Sequence, residues 1–207
     1  MHRFSLLEAV VFLGITSIGF AEINASPDEG EKTCHIFKPC CLTPWTVKGR
    51  IAAFVPQGGI TREIYGSVFP EYSLEVDYFL KQNWSLFFNG SFYHQSGYPV
   101  GSSNKSKVTL VPLIIGGLLD KQYPWGKPYF GFGMGTAYIN VNNNSPIVAN
   151  AVEWGFASLL EAGVEAHFAC HWLVDGFMAY RFNAFTFNNT DAQTGGFQIG
   201  GGVGYEF

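Results

Sequence analysis

Glu161 and Glu165 are the residues whose types and spacing most invite chemistry. Two carboxylates on one face suffice for general acid–base work, one holding a proton and the other ready to take it. Their spacing keeps them on one side of a strand. Basic residues are available on other segments, and buried carboxylates need partners in any case. An ion-pair network therefore accounts for them better than catalysis. His167 and His171 are four apart, the spacing of two metal ligands on a helix face. They flank a turn between strands instead, so no metal is expected there. Gly131-x-Gly133-x-Gly135 lacks the strand-to-helix setting of a dinucleotide fingerprint, and no cofactor is expected.

The cysteines carry more information. Cys34, Cys40 and Cys41 lie in a polar, proline-containing segment, and Cys170 lies in a short turn. Zinc binding by Cys34, His35, Cys40 and Cys41 matches no familiar spacing. Four cysteines allow three complete pairings, and adjacent Cys40 and Cys41 make a poor pair with each other. Cys34, Cys40, Cys41 and Cys170 are candidates for a disulfide whose connectivity stays open, including links to other envelope proteins.

The elements that would position these residues follow from composition and alternation. The 207-residue chain is 47% hydrophobic and 17% aromatic, with 25 glycines. Only 14% is charged, against roughly 25% in ordinary globular proteins. Such a chain suits a thin β wall whose outer face is not wet. A net charge of −4, spread along the chain, gives no footprint for nucleic acid. Residues 1–21 read as a secretory signal: His2 and Arg3, an apolar core from Ala9 to Phe20, and small Gly19 and Ala21 before the cut. Residues 22–45 read as a periplasmic extension. No later run of 18 apolar residues offers a transmembrane helix.

From residue 46 onward, segments of about ten residues alternate with period two, the signature of a membrane β-barrel. Eight are expected: Thr46–Val55, Glu71–Leu80, Trp84–Tyr93, Lys107–Leu119, Pro128–Tyr138, Trp154–Phe168, Trp172–Phe185 and 195–207. The fourth is nearly all apolar, and its facing is ambiguous. Residues 56–70, 94–106, 139–153 and 186–194 read as long polar loops, with shorter turns at 81–83, 120–127 and 169–171. Long loops on one side and short turns on the other describe an antiparallel up-and-down barrel with periplasmic turns and extracellular loops. The charges then point inward. The expected lumenal polar network is Lys48, Arg50, Glu75, Asp77, Glu161, Glu165, Asp175 and Arg181, with Glu71 and Glu206 on the same faces. A barrel of eight strands has an interior that side chains fill, so packing is expected rather than a pore. Glycines on the inner faces of the fifth and eighth strands make room for long side chains.

"KPYFGFGMGTAYI" (127–139), "YSLEVDYFLKQNWSLFFNGSFY" (72–93) and "GGFQIGGGVGYEF" (195–207) carry a resemblance. The chain resembles the small eight-stranded outer-membrane barrels, the group of the OmpA transmembrane domain, OmpW and the opacity-type surface proteins. The resemblance covers residues 46–207. It implies a bacterial outer-membrane location, lipid and the barrel assembly machinery as partners, and an assembly signal at Tyr205 and Phe207. Lipid A deacylases of this shape carry His-x-Ser-Asn-Ala near the end of the penultimate strand. Arg181-Phe182-Asn183-Ala184 keeps Asn-Ala without the histidine or serine, and no nucleophile follows from it. The expected function is a non-enzymatic structural or surface-exposed role in the envelope. The alternative is a narrow porin-like channel for small or hydrophobic solutes.

Overall fold

A computed structural model describes residues 44–81, 83–98, 105–143, 150–187 and 190–207. The signal segment and nearly all of the extension, with Cys34, Cys40 and Cys41, lie outside the described residues. The strands are β1 (Trp45–Pro56), β2 (Phe69–Lys81), β3 (Trp84–Gly97), β4 (Ser106–Asp120), β5 (Lys127–Asn143), β6 (Ala151–His167), β7 (Trp172–Phe187), β8 (Thr190–Gln193) and β9 (Gly196–Glu206). One helix, α1 (Gly59–Tyr65), lies between β1 and β2.

Every neighbouring pair is antiparallel, and β1–β9, β7–β9 and β6–β7 pairing closes the sheet on itself. β8 and β9 behave as one strand in two pieces. Ala184↔Gln193 and Arg181↔Gly196 continue a single register against β7. Between them the Thr194 amide donates to the Asn183 carbonyl at 2.9 Å. The wall is therefore a closed barrel of eight strands.

The period of two sets which solvent each side chain meets. Along β1, Thr46, Lys48, Arg50, Ala52 and Phe54 are buried, while Trp45 and Ile51 are exposed. Along β6, Ala157, Leu159, Glu161, Glu165 and His167 are buried, while Trp154, Phe156, Leu160 and Val164 are exposed. Polarity is inverted relative to a soluble barrel over much of the wall. Pairs of outward aromatics mark its rims: Trp45 with Tyr78 (centroids 4.6 Å apart) at the turn end, Tyr138 with Trp154 (5.3 Å) at the loop end.

Three expectations change. The segment 56–70 is not all loop, because α1 occupies part of it. Gly58 caps α1 with no side-chain hydrogen bond, and Gly66 ends it at φ 101°, a left-handed conformation that glycine adopts without strain. A helix this short holds through tertiary contacts rather than propensity. The Arg62 Nε donates to the Pro56 carbonyl at 2.5 Å. The segment 186–194 continues as β7 and β8, joined over two residues. Its Thr and Phe residues favour strand over loop. Finally, the lumen is not uniformly polar. β4 turns Val108, Leu110, Pro112, Ile114 and Leu118 inward, and they join Phe54, Phe69, Phe87, Tyr93, Ile139 and Phe185.

Candidate functional site

Lys48 and Arg50 enter the lumen from β1, with 0% and 2% exposure. Across the β1–β9 seam they face Gly204 and Gly202. A Cβ there would lie 2.8 Å from the Lys48 Cγ and 2.7 Å from the Arg50 Cγ. Glycine is what lets both stems lie against the wall.

Lys48 Nζ sits 2.7 Å from Glu75 Oε1, 2.6 Å from Asp77 Oδ2 and 2.8 Å from Glu165 Oε1. Lys127 Nζ reaches the other Glu165 oxygen at 2.6 Å. Arg50 Nε donates to Asp175 Oδ2 at 2.5 Å, and Nη1 donates to Glu75 and, at 3.1 Å, to Glu161 Oε2. Arg50 Nη2 donates to the Tyr129 hydroxyl at 2.8 Å, which donates in turn to Asp175 Oδ1 at 2.9 Å. The Asn89 amide donates to Glu75 Oε2 at 2.9 Å. The guanidinium also lies 4.7 Å from the centroid of Phe177, within cation–π range. Arg50 thus ties β1 to β2, β5, β6 and β7 across the lumen.

Of the eight expected residues, seven come together here. Arg181 stands apart in a second, charge-balanced unit. Its Nη1 donates to Glu71 Oε2 at 2.9 Å, its Nη2 to the other oxygen, and Gln198 adds an amide at 3.1 Å. Lys127, Tyr129, Asn89 and Gln198 belong to these units, and charge counting on the expected strands missed them. Lys127 fell one residue outside the fifth predicted strand. Tyr129 shared a face with Gly131 and Gly133, and that alternation could have marked it as inward.

The motifs weighed for chemistry are engaged otherwise. Glu161 and Glu165 both meet cations. Asn183 donates to the Thr194 carbonyl at 2.7 Å. His167 Nε2 lies 3.0 Å from Glu206 Oε1, and His171 Nδ1 donates to the Glu206 carbonyl at 2.9 Å. Among the described residues no group of three or more His, Cys, Asp or Glu is placed to hold a metal. Cys170 is exposed in the turn between β6 and β7, on the same rim as the start of β1. On that rim Tyr205 packs against Trp172 and Phe207, with centroids 5.1 Å away in each case.

No protein-family model matches the chain, and no curated protein sequence matches it. Solved structures do. The Neisserial surface protein A structure aligns at a TM-score of 0.58 and 13% identity, over 80% of this chain and 98% of that one. The outer membrane protein OprG of Pseudomonas aeruginosa aligns at 0.49 and 12%, over 79% and 95%. The attachment invasion locus protein Ail of Yersinia pestis aligns at 0.47 and 13%, over 77% and 97%. The chain has the fold of the small eight-stranded outer-membrane barrels.

Proposed function

We propose that this chain is a non-enzymatic barrel of a bacterial outer membrane, with a sealed lumen and a structural or surface-displayed role. The outward apolar face supports lipid as its solvent, since a basic residue turned outward at mid-membrane would cost about 2–4 kcal/mol. In this reading the turns face the periplasm and the loop end faces outward. The outward aromatics of β9, down to Tyr205 and Phe207, are the surface offered to the assembly machinery.

The observation that carries the sealed reading is Arg50, buried and hydrogen-bonded to groups on four other strands. Ions cannot pass a cross-section filled by a guanidinium and its carboxylates unless those pairs part. Purified protein in planar bilayers should therefore give no stable conductance steps above leak. Reproducible steps would overturn the sealed reading in favour of the narrow porin-like channel.

A further inference from the structure

The side chains of the Lys48 and Arg50 network do not balance in charge. Lys48, Arg50 and Lys127 bring three cations to Glu75, Asp77, Glu161, Glu165 and Asp175. All five carboxyl groups are buried. An uncompensated charge in such surroundings is very unfavourable, and a carboxylate there takes up a proton instead. The shortfall is two.

The partners are unevenly shared. Glu75 meets Lys48, Arg50 and the Asn89 amide. Glu165 meets Lys48 and Lys127, and Asp175 meets Arg50 and the Tyr129 hydroxyl. Among the described residues Asp77 pairs with Lys48 alone, through Oδ2, and Glu161 with Arg50 alone, through Oε2. These two are 6% and 2% exposed, and their second oxygens, Asp77 Oδ1 and Glu161 Oε1, are buried with no hydrogen-bond partner among the described residues. Two carboxyl groups are thus short of partners where two negative charges are in excess. The surrounding strands add no further cation. β3 presents Asn89, β4 presents Ile114 beside it, and β9 presents Gly202 and Gly204 opposite Arg50 and Lys48. Other inward ionisable groups are engaged elsewhere: Arg181 with Glu71, His167 with Glu206, and Asp120 with the Ser85 hydroxyl.

We propose that Asp77 and Glu161 are proton-binding sites, each holding one proton at neutral pH, and that these two protons complete the neutral filling of the lumen. The proposal rests on the sealed lumen above, since an open one would admit salt cations to do the same. Closure is thereby tied to pH. Stripping both protons leaves two uncompensated charges inside, and the closed form loses stability.

The test uses the full chain in vesicles, unfolded by urea at several pH values between about 6 and 8, above the ordinary carboxylate range. The unfolded chain releases both protons there, so the folded state binds more protons and stability falls as pH rises. Asp77→Asn and Glu161→Gln copy the neutral acids and should fold. For the parent, the unfolding constant should rise with pH about a hundredfold per unit more steeply than for the double variant, and each single variant should remove about tenfold per unit. Infrared spectra of the folded parent at neutral pH should show protonated-carboxyl stretches that shift in heavy water, one lost in each single variant. Equal pH slopes in parent and double variant overturn the proposal, and so does a folded parent without those stretches. Conductance steps at neutral pH overturn the sealed reading instead, whatever the slopes.

Discussion

The ionic residues around Lys48 are not equivalent. Three cations, Lys48, Arg50 and Lys127, face five carboxylates, Glu75, Asp77, Glu161, Glu165 and Asp175. Removing a cation therefore leaves the carboxyl groups with still fewer partners. Lys48 is fully buried and touches three of the five, whereas the Lys127 side chain is 20% exposed and touches one. Breaking a buried pair by deleting one partner costs roughly 3–5 kcal/mol, because the other charge stays buried. Lys48→Met should lower unfolding stability by that order in reversible urea titrations of the folded barrel, and Lys127→Met by clearly less. Equal losses would mean that burial does not grade these sites. The membership of Lys48, Glu75 and Asp77 was legible because each alternates with outward Val, Leu or Tyr. Which charge meets which was not legible, since Lys48 and Glu165 are 117 residues apart and meet only once the sheet curls.

At the scale of elements, the wall strands other than β4 were legible from period two, and β4 from its apolar run between two turn-like segments. The facing of β4 was not, because Val, Leu and Ile stand on both of its sides. α1 was invisible for a different reason: seven residues between glycines carry no periodicity, and their helical form depends on where they dock. Gly97 is the docking point. A Cβ there would lie 1.7 Å from the Ile64 carbonyl oxygen, closer than any atom can come. Gly97→Val should therefore dislodge α1 while leaving the barrel folded. Limited proteolysis should then cut within 57–68 in the variant and not in the parent, with the same heat-modifiable band on gels. The Cys170 turn makes its own prediction. Residues 169–171 hold Cys170 on the rim where β1 begins, and Cys34, Cys40 and Cys41 precede β1 closely in the sequence. Peptide mapping without reductant should recover Cys170 linked to Cys34, Cys40 or Cys41. Full alkylation of all four thiols in unreduced, oxidised envelopes would discard the link.

The barrel, taken whole, differs from one end to the other. Strands β5 and β6 have 17 residues each, while about 9–11 tilted residues cross a bilayer. Part of the wall is therefore longer than a bilayer crossing needs. The ionic network sits nearer the turns, anchored by residues of β1 and β2 close to the rim that carries Cys170. The apolar cluster around Phe54, Phe69 and Tyr93 and the ionic network around Lys48 thus occupy different levels of one barrel.

The distribution of charge among the strands also bears on how the chain folds. With only the β1–β2 hairpin formed, Lys48 and Arg50 have Glu75 and Asp77 beside them. Glu161, Glu165 and Asp175 are then without those two cations, because β6 and β7 reach β1 only through the curled sheet. A half-curled sheet in lipid thus leaves Glu161 and Asp175 without the Arg50 guanidinium that only the complete circle brings to them, and the free energy falls steeply at the last step. Refolding into vesicles should accordingly be all-or-none, with no populated partly curled species, and the seam between β1 and β9, where glycine faces each basic stem, is the natural place for the circle to be completed.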